Sequence, residues 1–185
     1  MYPSGFPGQE VDAAGSFVSI TPAGAKLEGV QRPTFFRGVA TVCMKLFNIV
    51  TPEKVYFGQK DVQQTVVIRK MVKDFCMDTE VRVGATVREK DGLAMSSRNV
   101  YLGTRRRARA TVLSETLQVA ERQWKEGART REQIMGPAEE YVRAFQAAEA
   151  AKPAHERVRF EIGYLSLADP ETLEELDVVD ERRGA

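Results

Sequence analysis

Two short stretches of the chain concentrate side chains able to grip an oxyanion. In DGLAMSSRNVYL, Asp91 to Leu102, two serines, Ser96 and Ser97, stand beside Arg98 and Asn99 directly behind an apolar Leu-Ala-Met. Two hydroxyls can each donate to a phosphate oxygen, an arginine adds a charge-assisted fork, and Gly92 supplies a turn where backbone can approach a ligand. In GQKDVQQ, Gly58 to Gln64, Lys60 and Asp61 follow a short apolar run and precede a helix-period pattern. The start of a helix offers free N–H groups and the positive end of its dipole, so Lys60 placed there makes a seat for phosphate or carboxylate. A purely structural reading competes: Asp61 and Gln64 have the spacing of a capping box, and Lys60 is equally at home in solvent. Ser96 and Ser97 stand several residues ahead of the helix expected from about Thr104, too early to cap it, which favours a ligand role for them.

The elements that must position these stretches follow from periodicity. FRGVATVCMKLFNIV, Phe36 to Val50, places Val39, Val42, Cys43, Leu46 and Phe47 on one helical stripe, and Pro52 stops it. KVYFG reads as a buried strand ending at Gly58. KDVQQTVVIRKMVKDF sets Val62, Val66, Ile68, Met71, Val72 and Phe75 at helical spacing, and EVRVGATV reads as a second strand. Helix, strand, helix, strand in this order implies a parallel sheet built by βα crossovers, in which ligands bind beyond the carboxyl ends of the strands. After Asn99, TRRRARATVLSETLQVAERQWKEG predicts one amphipathic helix to Gly127, a second helix spans about Thr130 to Ala150, and VRFEIGYLSLAD alternates like a strand. The expected organisation is α/β: residues 1–87 in a parallel-sheet domain and residues 88–185 in a small α+β domain, the boundary falling between Val87 and Arg98. Met1 to about Gly15, rich in Gly and Pro, predicts an extended entry segment.

Composition excludes several classes of function. With 27 basic and 26 acidic residues there is no electrostatic footprint for a nucleic-acid partner. No apolar run is long enough for a membrane-spanning helix, and the first residues show no basic-then-apolar export pattern. Cys43 and Cys76 lack Cys-x-x-Cys spacing and read as reduced, buried thiols of an intracellular protein, and with His155 the sole histidine no protein-ligated metal site is expected. Arg105 to Arg109, RRRAR, predicts a solvated helix face; Trp124 and Phe145 predict packing; RPTFFRG, Arg32 to Gly38, predicts a packed corner.

Taken together, FFRGVATVCMKLFNIVTPEKVYFGQKDVQQTVVIRKMV and VREKDGLAMSSRNVYL closely resemble the pantothenate synthetase family, ATP-dependent ligases that join pantoate to β-alanine. The likeness runs from about Tyr2 to Asp169, tightest through Phe36 to Leu102, and PTFFRG is similar to the fungal branch. It implies a nucleotidyltransferase-like Rossmann domain followed by a smaller lid domain, in a cytoplasmic homodimer. It also implies that MgATP and pantoate form pantoyl adenylate and pyrophosphate, after which the amine of β-alanine displaces AMP. On the matching positions, Lys60 would contact ATP phosphate, Gly58 and Asp61 would line the ribose side, and Gln64 would hold pantoate. Val87 would meet adenine through its backbone, while Met95, Ser96, Ser97 and Arg98 would form the phosphate-clamping loop. These cationic and hydroxyl groups, with Mg²⁺, would stabilise charge gathering on the α-phosphate and the pyrophosphate leaving group without proton transfer.

The chain also departs from the family pattern. It has no His-x-Gly-His motif, Phe35 stands where many bacterial members have histidine, and Gln59 replaces a usual glutamate. The missing motif, with an end at DERRGA where family members continue, gives the expectation of a chain truncated at both ends, marginally stable because a parallel sheet lacking neighbours exposes edge and face, and unable alone to catalyse adenylation. The alternative expectation is a noncatalytic ATP- and pantoate-binding or assembly subunit. A dinucleotide-dependent oxidoreductase is disfavoured, because no Gly-x-Gly-x-x-Gly follows a strand.

Overall fold

In the computed structural model, residues 15–180 are described. The expected entry segment, save Gly15, lies outside them. Two compact units emerge: one comprises the described residues up to Ala85 together with Asp169–Glu174, the other Thr86–Ala168 together with the described residues from Glu175 on.

In the first unit, a one-turn helix α1 (Glu28–Gln31) precedes the long helix α2 (Phe35–Val50). Phe36, Val39, Ala40 and Phe47 form the buried stripe of α2. Relative to the sequence pattern the stripe is rotated: Val42 and Cys43 are half-buried and Leu46 is exposed. Thr51 ends the helix in the left-handed region, its N–H donating to the Phe47 carbonyl at 2.8 Å, and Pro52 prevents continuation. Strand β1 (Lys54–Gly58) pairs in parallel with β2 (Glu80–Gly84), Lys54 opposite Glu80 and Gly58 opposite Gly84. Helix α3 (Val62–Asp74) is the crossover between them. Val66, Val67, Ile68 and Met71 of α3 meet Phe36, Val39 and Phe47 of α2 in one core with Ile20, Ala23 and Leu173. Gln63, only 4% exposed, ties the chain ahead of α1 to α3: its amide donates to the carbonyls of Ala23 and Lys26 and its oxygen accepts from the Glu28 N–H.

Two expectations for this unit need correction. Helix α3 ends at Asp74, so Phe75 is exposed rather than part of its stripe, and Val62 at its first turn is exposed as well. Cys76 is also exposed, in the left-handed region at φ 51°, because the chain has already left the helix; Cys43 is the more buried thiol, and burial pushes its pKa up to about 11. The expected corner at Arg32–Gly38 does pack: Phe36 is buried, Phe35 meets it edge-on at 5.0 Å, and the Arg32 guanidinium lies 3.7 Å from the Phe35 ring centre.

The second unit is dominated by α5 (Val112–Lys125) and α6 (Arg131–Ala150), which pack on each other and bury Val112, Thr116, Ile134, Ala138 and Val142. Gly127, at φ 102°, makes the turn between them, and Thr130 and Gln133 close a capping box at the start of α6. The long helix expected from Thr104 is instead broken. A short α4 (Gly103–Arg107) gives way to turns through Ala108–Thr111, where the N–H groups of Arg109, Ala110 and Val112 each donate to the carbonyl three residues back. Arginines on this stretch reach different anchors: Arg105 the His155 carbonyl, Arg107 Glu89 and Asp91, and Arg109 the buried Glu149 at 3.0 Å. RRRAR is therefore not simply a solvated face.

The strand expected over Val158–Asp169 is absent. Alternation predicts a strand only where a ladder partner exists, and among the described residues this segment makes just an isolated bridge, Ala168 to Glu175.

Truncating the fully buried Ile68 to alanine is expected to cost about 2–5 kcal/mol, because the closely packed neighbours from α2 cannot fill the void. Urea unfolding followed by circular dichroism measures the loss.

Candidate functional site

In the first unit, β1 delivers the chain at Gly58 into a single 3₁₀ turn, Gln59–Asp61, from which α3 begins. Parallel pairing places this turn at the carboxyl end of the strand. No protein atom lies within 4 Å of where a Cβ would stand on Gly58, so the described fold itself does not demand glycine there. Lys60 and Asp61 are both exposed. The capping box expected of Asp61 and Gln64 does not form: Asp61 occupies the position before α3 at φ −103° and ψ 56°, and its side chain accepts none of the helix N–H groups. Gln64 is half-buried beside the fully engaged Gln63, and its own amide makes no hydrogen bond among the described residues.

In the second unit, the chain from Val87 to Met95 folds into a tight hairpin. The Glu89 N–H donates to the Leu93 carbonyl at 2.8 Å, that of Gly92 to the Glu89 carbonyl at 2.9 Å, and that of Met95 to the Val87 carbonyl at 2.9 Å. Gly92 sits at φ 93°, a conformation that side-chain-bearing residues rarely adopt, and this gives the three-residue Lys90-Asp91-Gly92 loop its bulge. Val87 and Met95 are exposed.

Beyond the hairpin, a 3₁₀ turn runs from Ser97 to Tyr101, and the Ser96 hydroxyl oxygen accepts from the Arg98 N–H at 3.2 Å. Ser96 is therefore a cap after all, for a 3₁₀ turn that begins immediately after it rather than for the later helix. Its O–H remains a donor, while Ser97 and Arg98 are exposed.

The turn is fastened from behind. The Asn99 amide donates to Glu89 at 3.2 Å and to the Ala94 carbonyl at 3.1 Å. Arg107, on α4, donates to Glu89 at 2.8 Å and to Asp91 at 2.5 Å. Hydrogen bonds from Arg107, seconded by Asn99, hold Glu89 below its ordinary pKa, and Arg107 with the Leu93 N–H does the same for Asp91. Arg107 and its contacts escape a reading of the sequence because the arginine run shows only a polar face, whereas its partners lie 18 and 16 residues upstream.

The family of pantoate-beta-alanine ligases matches the chain over residues 1–184. The chain belongs to this family. It is 46% identical over 183 residues to a pantothenate synthetase of Roseiflexus castenholzii, covering 98% of this chain and 58% of the relative. With a pantothenate synthetase of Chloroflexus aurantiacus it shares 47% identity over 178 residues, covering 96% and 56% respectively. The crystal structure of the Thermus thermophilus enzyme superposes with a TM-score of 0.80 at 39% identity, covering 97% of this chain and 58% of that one. A Francisella tularensis ligase, complexed with beta-gamma ATP and beta-alanine, matches with a TM-score of 0.51 at 30% identity, over 70% of this chain and 48% of that chain. The α/β architecture with its parallel strand pair is thus that of the pantothenate synthetase fold. The chain spans less than three-fifths of the length of these relatives.

Because Glu89 and Asp91 titrate lower in the folded hairpin than unfolded, their contribution is fully present above the ordinary carboxylate range and is lost as pH falls through their depressed folded values. Acidification is therefore expected to speed amide exchange at Leu93 and Asn99 before it affects the α5–α6 helix pair, as followed by hydrogen–deuterium exchange corrected for intrinsic rates.

Proposed function

We propose that this chain acts in a pantoate:β-alanine ligase reaction that proceeds through pantoyl adenylate. The observation that carries the reading is the Ser96–Arg98 turn, fastened by Asn99 and Arg107 while the side chains of Ser97 and Arg98 remain exposed and unengaged. Its family membership and the ATP-complexed Francisella ligase give that arrangement its chemical meaning.

In the first step a pantoate carboxylate oxygen forms a bond to the α-phosphorus of ATP, and the bond from that phosphorus to the bridging oxygen breaks, releasing pyrophosphate. In the second, the β-alanine amine attacks the acyl carbon, AMP departs with the electron pair, and the nitrogen loses a proton. Lys60 binds ATP phosphate, Gly58 lets the ribose approach β1, Asp61 faces that side, and Gln64 offers its amide to pantoate. The Val87 backbone meets adenine. Met95 flanks the nucleotide, and Ser96, Ser97 and Arg98 donate to phosphate oxygens, opposing the charge that gathers as pyrophosphate leaves. Mg²⁺ would supply further neutralisation of the phosphates. No cluster of three metal-ligating side chains occurs among the described residues.

The proposal extends to a cytoplasmic homodimer. No described helix is long and apolar enough to cross a membrane. A fungal type rests only on the Phe35–Phe36 pair, whereas the Roseiflexus and Chloroflexus relatives are bacterial. A second reading is a noncatalytic ATP- and pantoate-binding or assembly subunit, in which the exposed Ser97 and Arg98 would hold nucleotide without turnover.

Pantoate-dependent exchange of label between pyrophosphate and ATP, measured on the protein as its source cells make it because the chain alone is expected not to adenylate pantoate, separates the two. Catalysis predicts exchange that falls about 100- to 1000-fold in Lys60→Ala and Arg98→Ala, the scale of losing one transition-state donor. ATP and pantoate uptake by calorimetry without exchange would establish the binding subunit, and neither uptake nor exchange would reject both readings.

A further inference from the structure

Among the described residues, Arg107 is the one arginine of the RRRAR run that pairs with two carboxylates, Glu89 at 2.8 Å and Asp91 at 2.5 Å, across the base and tip of the Val87–Met95 hairpin. Glu89 is shared: one oxygen accepts from Arg107 and the other from the Asn99 amide. Asn99 also donates to the Ala94 carbonyl, so both sides of the segment from Ala94 to Asn99 are held by one side chain. Between those anchors stand Met95, Ser96, Ser97 and Arg98. Neither Arg107 nor Glu89 belongs to the group of residues assigned to ATP above.

We propose that Arg107 is a positioning residue, whose guanidinium acts through Glu89 and Asn99 to hold the Met95–Arg98 turn in the form that presents Ser97 and Arg98 to phosphate. The inference rests on the phosphate reading of that turn. The physical basis is entropic. Two exposed side chains on an untethered loop would have to be ordered when the anion arrives, whereas a turn already fastened meets it with that ordering complete. A guanidinium suits the task because its fixed fork reaches two carboxylates at once, which the single ammonium of lysine cannot match.

The test uses the full 185-residue chain, with ATP as the probe. Arg107→Ala is expected to speed amide exchange at Arg98 and Asn99 by about tenfold or more, the equivalent of losing one charge-assisted hydrogen bond, while the core of α5 and α6 keeps its protection. ATP affinity measured by calorimetry should fall by a comparable factor. Arg107→Lys should land between the alanine variant and the parent, and it serves as the working variant if alanine prevents folding. The decisive readout is coupling with Arg98→Ala: in that background Arg107→Ala should weaken ATP binding further by less than about threefold, because the group it positions has gone.

Unchanged exchange at Arg98 and Asn99, or a loss of protection spread evenly through α5 and α6, overturns the inference. Full additivity of the two substitutions also overturns it, since Arg107 would then act independently of the turn. Reduced affinity in Arg98→Ala with unchanged affinity in Arg107→Ala overturns the positioning role and leaves the proposed function standing. Unchanged affinity in Arg98→Ala removes the phosphate reading itself, and the inference falls with it. If the parent chain takes up no ATP, the proposed function fails, and the positioning role is overturned for want of a ligand to position.

Discussion

Parallel strands cannot be joined by a tight turn, and most of the first unit follows from that constraint. β1 and β2 pair in the same direction, so the chain must travel back along the sheet before it can re-enter, and α3 is the segment that does so. The face of α3 turned to the core carries Val66, Val67, Ile68 and Met71, and α2 supplies the opposing surface. Because α3 must begin just after β1 ends, Gly58, Lys60, Asp61 and Gln64 are brought to the carboxyl edge of the strand pair by topology rather than by contacts of their own. Gln63 accounts for the precision of that start: with two hydrogen bonds to the segment ahead of α1 and one to Glu28 at the start of α1, it fixes the first turn of α3 and leaves Gln64 beside it unengaged.

The second unit solves a comparable positioning problem without a sheet. A hairpin whose connecting loop is three residues long, followed by a 3₁₀ turn, has little buried surface to hold it, and most of its residues are exposed. Directional polar contacts must do what packing does in the first unit. The Arg107 guanidinium and the Asn99 amide converge on Glu89, and each partner favours the charged form of the carboxylate, so the cluster is satisfied as a set rather than as separate pairs. Helix α4 ends at Arg107. The arginines near its end reach Glu89, Asp91, Glu149 and the His155 carbonyl, directions that a continuous helix from Thr104 to Gly127 would not present.

These differences explain what the amino-acid sequence disclosed and what it hid. The limits of β1 and part of the core face of α3 were legible, Ile68 and Met71 recurring at helical spacing, but the burial expected of β1 is not found, since Val55 and Phe57 are only half-buried and alternate with exposed neighbours. The carboxyl edge at Gly58 followed from element order alone. The cap made by Ser96 was not legible, because a 3₁₀ turn of five residues has no hydrophobic period to announce its start. Nor was the exposure of Cys76, which depends on α3 ending at Asp74, short of the Phe75 that its apolar pattern includes. The alternation of Val158–Asp169 misled for the opposite reason. It specifies which side chains face inward, but strand character also requires a neighbour whose backbone lies alongside, and that is a property of the tertiary fold.

The cations of the chain divide into those engaged by carboxylates and those that are not. Arg107 and Arg109 sit in ion pairs with carboxylates of the same unit, and Lys70 pairs with Asp74 one helical turn away. Lys60 and Arg98 are no more exposed to chance than these, since each stands at a fixed turn of the backbone, yet neither is drawn into an ion pair among the described residues. An exposed cation that pairs with nothing contributes little to folding, and a cation held at a defined backbone position is available to an anion at low ordering cost. Under the proposed function, an anion with several oxygens would engage Lys60 and Arg98 without either surrendering an ion pair it already makes.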